Sequence, residues 1–344
     1  AWVQTPHWFN DLTVGPDGRL RDQFLVDGSY FFDVVQRRRN RHGASFCCGA
    51  ASIHRRSALL DNLSLSQKQD RIFGRNRDKM NPKLRGRAAQ QPFAFHVSED
   101  LLTSMQLVLG SSHKWMSVYH PRIEAKMLSP QDLKSWAVQR LKYAGGTLNI
   151  AFSALVWKAV FSSGRIGLHY ASTLLSYLIL PCLAVLLACP LFVLTSGVLP
   201  IDASGLVYLS NLIPFLVLNE LALIRSTDGR CDLKSRIGAF ATLPIGLFAF
   251  WLTVWGKRPK FPSTPKSAGT ELGLIYVLPN FLFGGAVVGV VGWVLLAQMS
   301  GWTTFPLPTL TANLFWSGWS TLLICGCLWY QRHLIFSIKR RSAS

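Results

Sequence analysis

From residue 147 onward the chain runs through a series of apolar stretches, each long enough to cross a bilayer as a helix. Inside lipid every backbone amide needs an internal partner, so stretches of this kind admit helices and little else. Four are read as spans, at about 169–196, 206–224, 272–298 and 308–330. A fifth, at 237–255, is also long enough, and its flanks decide its reading. Arg225, Arg230, Lys234 and Arg236 precede it and Lys257, Arg258, Lys260 and Lys266 follow it, whereas the joints 196–206 and 298–308 carry no Lys or Arg. Basic flanks belong on the cytoplasmic side, so 237–255 is expected to be an interfacial or re-entrant helix that does not cross. Thr147 to Ser163 is apolar with a single Lys158 and is followed by Arg165, which suits an interfacial helix over 147–168. Residues 1–146 and the Lys339-Arg340-Arg341 tail are then both cytoplasmic.

The first part of the chain is of another kind. Residues 1–150 hold 22 of the 36 Lys and Arg, and the formal net charge of the whole is +19. No compact nucleic-acid-binding motif accompanies that charge, so no nucleic-acid partner is expected. Cationic loops facing membrane lipids and a phosphate-bearing substrate account for it. Residues 1–60 alternate short apolar runs with turn signals, Val3 to Phe9, Val14-Gly15-Pro16-Asp17-Gly18 and Tyr30 to Val35, the pattern of an α/β domain with short strands. The run Arg37-Arg38-Arg39-Asn40-Arg41 is either a solvated face or an anion-recognition element. Residues 61–95 are polar and strongly basic with little periodicity, as in an exposed insertion. The seven cysteines form no CxxC pair, so reduced thiols and no metal site are expected.

Two further stretches carry candidate chemistry. Ser98-Glu99-Asp100 sets two adjacent carboxylates at the start of an apolar, helix-like run in a chain where acids are scarce. Ser98 reads as a helix N-cap with acids in the first turn. Ser129-Pro130-Gln131-Asp132 reads as cap, proline and acidic first turn of a helix running to Gly145-Gly146, with Gln139 and Tyr143 on one face and Trp136 and Arg140 on another.

Taken together, five elements in one order resemble the processive family-2 glycosyltransferases of the bacterial cellulose synthase type. Val3-Gln4-Thr5-Pro6-His7-Trp8-Phe9 is similar to that family's VQTPHxF strand, and Phe46-Cys47-Cys48-Gly49-Ala50-Ala51 to its FFCGSA loop. Ser98-Glu99-Asp100 matches T-E-D with Ser for Thr. Gln139-Arg140-Leu141-Lys142-Tyr143 matches Q-x-x-R-W with Lys for Arg and Tyr for Trp. Phe261-Pro262-Ser263-Thr264-Pro265-Lys266 is similar to the FxVTxK gating loop. The implied fold is the C-terminal part of an α/β GT-A domain followed by a helical multi-pass membrane domain at 169–344, with the gating loop at 257–270.

The resemblance also implies roles. Asp100 becomes the base that takes the acceptor hydroxyl proton, with Glu99 supporting it. Gln139, Arg140 and Lys142 face the donor diphosphate, and Lys for Arg gives up the bidentate fork. Tyr143 with Phe46, Cys47, Cys48 and Gly49 contacts the acceptor. Phe261, Thr264 and Lys266 close over the nucleotide. The implied reaction is inverting polymerisation of a β-glucan, either cellulose or a 1,3- or mixed-linkage polymer, from UDP-glucose at the cytoplasmic face of a bacterial inner membrane. The chain extrudes its product through its own helices, with periplasmic export subunits as possible partners. The family's metal-holding D-x-D does not occur in this sequence. It is expected upstream of Ala1, with Mg2+ or Mn2+ on the UDP-sugar. The alternatives are a non-processive transferase acting on a lipid acceptor and a catalytically inactive transport or structural subunit.

Overall fold

A computed structural model describes residues 1–15, 20–21, 30–62, 93, 96–110, 115–199, 205–231, 233–256 and 274–336. The N-terminal part has short strands: β1 (Trp2–Gln4), β2 (Trp8–Phe9), β3 (Thr13–Val14), β4 (Leu20–Arg21), β5 (Ser52–His54), β6 (Val118–Tyr119) and β7 (Lys126–Met127). In the largest sheet β1 lies centrally, antiparallel to β5 and parallel to β6, with Gln4 opposite Ser52 on one side and Tyr119 on the other. Trp2 and Gln4 point inward and Val3 outward, the alternation a strand requires.

Tyr30 to Val35 is helical, not extended. A wide turn over Tyr30–Gln36 runs into α1 (Arg37–Asn40), burying Phe32, Val34, Gln36 and Arg39. A short apolar run carries no period of its own, and here the contacts of Phe31 with Phe46 and of Phe32 with Tyr119 decide its winding.

Ten helices are described in all. After α1 come α2 (Glu99–Leu109), α3 (Leu133–Ala151), α4 (Ala154–Ser162), α5 (Gly164–Leu175), α6 (Ile179–Ser196), α7 (Gly205–Thr227), α8 (Leu233–Val254), α9 (Leu278–Met299) and α10 (Leu307–Phe336). The cap of α3 is Asp132, whose Oδ1 accepts from the Ser135 N–H at 2.6 Å. Ser129 has another task, giving its N–H and hydroxyl to the Asp11 carboxylate. The helix also runs on past Gly145-Gly146 to Ala151. Residues 147–168 therefore belong to three helices, with a 76° bend between α3 and α4.

Among the described residues four helices are long and apolar enough to cross a membrane: Ile179–Ser196, Val207–Thr227, Ser235–Val254 and Leu278–Met299. The third is the segment that the basic flanks assign to the interface, and α10 falls outside this group. Trp251, Trp255, Trp293 and Trp302 are exposed. Trp316 instead donates to Tyr208 Oη at 2.9 Å, and Trp319 packs on the main core.

That core joins Leu133, Trp136 and Ala137 of α3 to Leu180, to Ile237–Ile245 of α8 and to Leu323, Ile324 and Cys327 of α10. Trp136 is 1% exposed, so its place on α3 is one of packing and it does not share an open face with Arg140. Backbones come close where glycine sits: a Cβ at Gly326 would lie 2.5 Å from Ile237 Cδ1. A second core packs Leu101, Leu102 and Met105 of α2 on Ile150, Val156, Val160, Tyr170 and Leu174. The helix that begins with the acidic pair thus rests directly on α3, α4 and α5.

The arginine run fixes one part of the chain to another. Arg39 is buried and gives Nη2 to the His169 carbonyl and to Ser172 Oγ on α5. Arg38 bonds the Ser226 carbonyl and pairs with Asp228 at 2.7 Å, and Arg230 pairs with Asp33 at 2.7 Å. The turn between α7 and α8 is therefore tied to residues 33–38.

Candidate active site

Helix α2 positions the acidic pair by burying everything that follows it. Leu101 to Leu107 are all inside, leaving Glu99 exposed and Asp100 partly covered at the open end. Asp100 Oδ1 accepts the Leu101 N–H at 2.8 Å, satisfying one of the unpaired donors of the first turn. Burial pushes the Asp100 carboxyl up to about 6; that N–H pulls the other way, and the Glu99 charge adds to the rise. Ser98 occupies the cap position, but its hydroxyl caps nothing. Its carbonyl receives the Leu102 N–H at 3.0 Å, while its side chain is turned onto α3, where a Cβ at Gly146 would lie 2.0 Å from Ser98 Oγ. His96 holds the same approach: Nδ1 accepts the Ser98 N–H and Nε2 meets Asn149 Oδ1, both at 3.0 Å. The acidic pair is seated on α3 by glycine and histidine contacts rather than by a serine cap.

The loop Phe46-Cys47-Cys48-Gly49 closes one side of the carboxylate. Gly49 has φ +79°, which an L side chain rarely adopts, and a Cβ there would lie 3.4 Å from Asp100 Oδ2. Buried side chains hold this loop at almost every residue. Cys47 N–H donates to Ser104 Oγ at 2.9 Å, and that hydroxyl donates to the Asp100 carbonyl at 2.8 Å. Cys48 N–H donates to Gln4 Oε1 at 2.7 Å, and Gln4 Nε2 donates to the Ala50 carbonyl at 2.9 Å. Thr5 Oγ1 donates to the Ala51 carbonyl, and His7 Nε2 donates to that of Ala50, both at 3.0 Å. Gln36 Nε2 donates to the Phe46 carbonyl at 3.0 Å. Gln4 at the end of β1, with Thr5 and His7 just after it, thus clamps the loop.

Burial raises both thiols, with Asp100 adding to the rise in each, so Cys47 and Cys48 stay protonated and neutral beside the carboxylate. All seven cysteines are free. Gln36 and Ser104 were not legible as site residues. The signal for Gln36 was faint, a polar side chain on the same buried face as Phe32 and Val34.

From α3 the remaining groups arrive. Tyr143 is 43% exposed, and burial of its hydroxyl raises its pKa, with Arg140 opposing and Asp100 and Cys48 adding to the rise. The Arg140 guanidinium lies 5.6 Å from the centre of the Tyr143 ring, and its Nε is buried without a hydrogen-bond partner among the described residues. Burial lowers Lys142, and the Glu99 charge opposes that change. Gln139 is half-buried one turn before Tyr143. Asp100, Glu99, Lys142, Tyr143 and the Phe46–Gly49 loop therefore share one neighbourhood. Phe261, Thr264 and Lys266 lie outside the described residues.

Among the described residues no three His, Cys, Asp or Glu side chains gather so as to hold a metal ion. The described residues by themselves do not fit a divalent cation. The chemistry they can supply is a protonatable carboxylate near neutrality, a lysine coupled to its acidic neighbour and an aromatic ring beside an open surface.

No curated protein matches the chain. Residues 18–217, more than half of the 344, match the family described as glycosyl transferase family group 2. The matched stretch includes the Phe46–Gly49 loop, the acidic pair and Gln139 to Tyr143. The partly covered Asp100 carboxylate, Lys142 and the exposed Tyr143 ring come together inside that match. The chain belongs to glycosyl transferase family group 2.

Proposed function

We propose that this chain is a processive, inverting β-glucan synthase that uses UDP-glucose and passes its polymer through its own membrane helices. The observation that carries the reading is Asp100, a partly covered carboxylate with its pKa near 6 set between an acceptor-type loop and a cationic helix. In this mechanism the terminal hydroxyl of the glucan attacks the anomeric carbon of the donor from the face opposite UDP. Its proton passes to Asp100, the glycosidic bond forms with inversion, and UDP leaves with the bonding electrons. Arg140 and Lys142 offset the negative charge that grows on the diphosphate. Tyr143 stacks on the acceptor sugar, and the Phe46–Gly49 loop shapes its other side. The donor's Mg2+ or Mn2+ is assigned to groups other than those described, and closure over the nucleotide to Phe261, Thr264 and Lys266. The membrane is read as the bacterial inner membrane, with the catalytic part cytoplasmic and periplasmic subunits receiving the polymer.

Membranes containing the full natural protein, given radiolabelled UDP-glucose, are expected to form an alcohol-insoluble product. Digestion by a β-1,4- or a β-1,3-glucanase then reports the linkage. Label found only in an organic-extractable lipid would replace processive synthesis by the non-processive reading. Absence of transfer from any nucleotide sugar would leave the transport or structural role.

The position of 237–255 belongs to the same proposal. It packs along α3, which carries Arg140 and Tyr143, so an interfacial place beside the site suits it better than a crossing. With Lys260→Cys, a membrane-impermeant maleimide is expected to label inside-out vesicles and leave intact cells unlabelled. Labelling of intact cells would mean that the segment crosses.

A further inference from the structure

Arg39 stands where the membrane-proximal helix α5 meets the loop beside Asp100. Arg39 as a whole is 5% exposed. One face bonds the His169 carbonyl and Ser172 Oγ, the latter at 2.9 Å. Its Cζ also lies 5.2 Å from the centre of the Phe46 ring. Phe46 is held at its carbonyl by Gln36, and the next residue, Cys47, is held by Ser104 one turn along from Asp100. The guanidinium therefore sits between α5 and the first residue of the loop.

The electrostatics of this place are unfavourable for a merely structural side chain. Among the described residues no carboxylate pairs with Arg39, and its Nη1 is buried without a partner. The groups coupled to it electrostatically are Tyr170, Cys48 and His169, none of which is an anion while the tyrosine and cysteine are protonated. Burying a guanidinium without a counter-charge is costly, and an apolar side chain of the same length would fill the space more cheaply. What that apolar chain could not do is bond a carbonyl in the middle of α5 while presenting a cation to an aromatic ring.

We propose that Arg39 is a positioning residue for the acceptor, fastening the Phe46 ring to α5 so that the Phe46–Gly49 loop keeps its register beside Asp100 as the polymer advances. This rests on the glycosyl-transfer reading of the loop. The contact fixes the loop to a membrane-side element and not only to its own sheet, so movement of α5 would be felt at the acceptor end.

The test uses the full natural protein in detergent or membranes, with Arg39→Met and Arg39→Lys. The first readout is independent of activity: alkylation of Cys47, which is 2% exposed, by N-ethylmaleimide, mapped by mass spectrometry. Arg39→Met is expected to speed labelling of Cys47 by about tenfold, equivalent to ~1.4 kcal/mol of local opening. Cys327, 0% exposed in the main core, should stay protected. The second readout is UDP released per glucose incorporated from UDP-glucose, which should rise as water intercepts a poorly held acceptor site. Arg39→Lys, which keeps the charge, should fall between the two. Unchanged Cys47 labelling would overturn the proposal, as would Cys47 and Cys327 opening together or both rates falling at a constant ratio. If the unaltered protein transfers no sugar, the glycosyl-transfer reading fails while the labelling arm still decides whether Arg39 holds the loop. If Arg39→Met does not fold, Ser172→Ala removes one anchor of the same contact and is read by the same two measurements.

Discussion

Asp100→Asn is expected to reduce sugar transfer by about 10²- to 10⁴-fold, the contribution a general base typically makes, with binding of the UDP donor retained. Asn keeps the size of the side chain and can still accept the Leu101 N–H through its carbonyl oxygen, so the start of α2 is preserved. What is lost is the capacity to take a proton. The pH profile of the unaltered protein follows from the same group. With a folded-state pKa of about 6, Asp100 is ionised above that value, and transfer is expected to slow as pH drops through it. Stability runs in the opposite sense. The folded pKa lies above the ordinary aspartate value, so the favourable contribution is present below that ordinary value and is lost as pH rises through about 6. At neutral pH the ionised carboxylate therefore costs the folded state on the order of 2–3 kcal/mol. Asp100→Asn should accordingly melt at a higher temperature than the unaltered protein at pH 8 and show a much smaller advantage at pH 4. Retained transfer activity would exclude Asp100 as the base, and a lower melting point at pH 8 would mean that the carboxylate is not strained.

Gly146→Ala should be nearly as damaging, although the residue touches no substrate. Its Cβ would fall 2.0 Å from Ser98 Oγ, 3.0 Å from Ser98 Cβ and 3.3 Å from Ser98 N. The hydroxyl could rotate away, but the Cβ and the backbone could not, so Ser98 to Asp100 must lift from α3. A misplacement of about 1 Å at a reacting group costs roughly 10²-fold in rate. In stability, overpacking of about 1–3 kcal/mol is set against the ~1 kcal/mol that alanine gains over glycine inside a helix. Activity should therefore fall much further than stability. Adding Ser98→Gly removes two of the three clashing atoms and should recover a large part of the rate. A double variant no better than Gly146→Ala would mean that Ser98 does not transmit the effect.

These two residues mark what sequence could and could not supply. Glu99 and Asp100 stood out because acids are few and an apolar run follows them, and the structure puts that run underneath them as the buried face of α2. Ser98 looked like a cap because serine before two acids usually is one. Its real contact is with a glycine 48 positions later, which no local pattern reveals. Gly145-Gly146 looked like a helix end for a similar reason. Only the approach of a second segment explains glycine in the middle of α3. Asp132, not Ser129, caps that helix because Ser129 is engaged by Asp11, more than a hundred residues away. The arginine run was ambiguous between solvent and anion, and long-range partners on α5 and the α7–α8 turn resolved it in neither direction. Apolar length was the clearest signal throughout, because lipid leaves the backbone so little choice.

The pairs Arg38–Asp228 and Arg230–Asp33 have a counting consequence. Ion pairs of 2.7 Å cannot reach across a bilayer, so residues 33–38 and 228–230 lie on the same side of it. Between them the chain must traverse the membrane an even number of times. If α6 and α7 each traverse once, that number is already two. The bent pair α3 and α4 cannot then add a third, and must return to the face from which it came. The parity of a folded path, set by two ion pairs at its ends, thus keeps the residues of the site on α3 on the same side as the loop they serve.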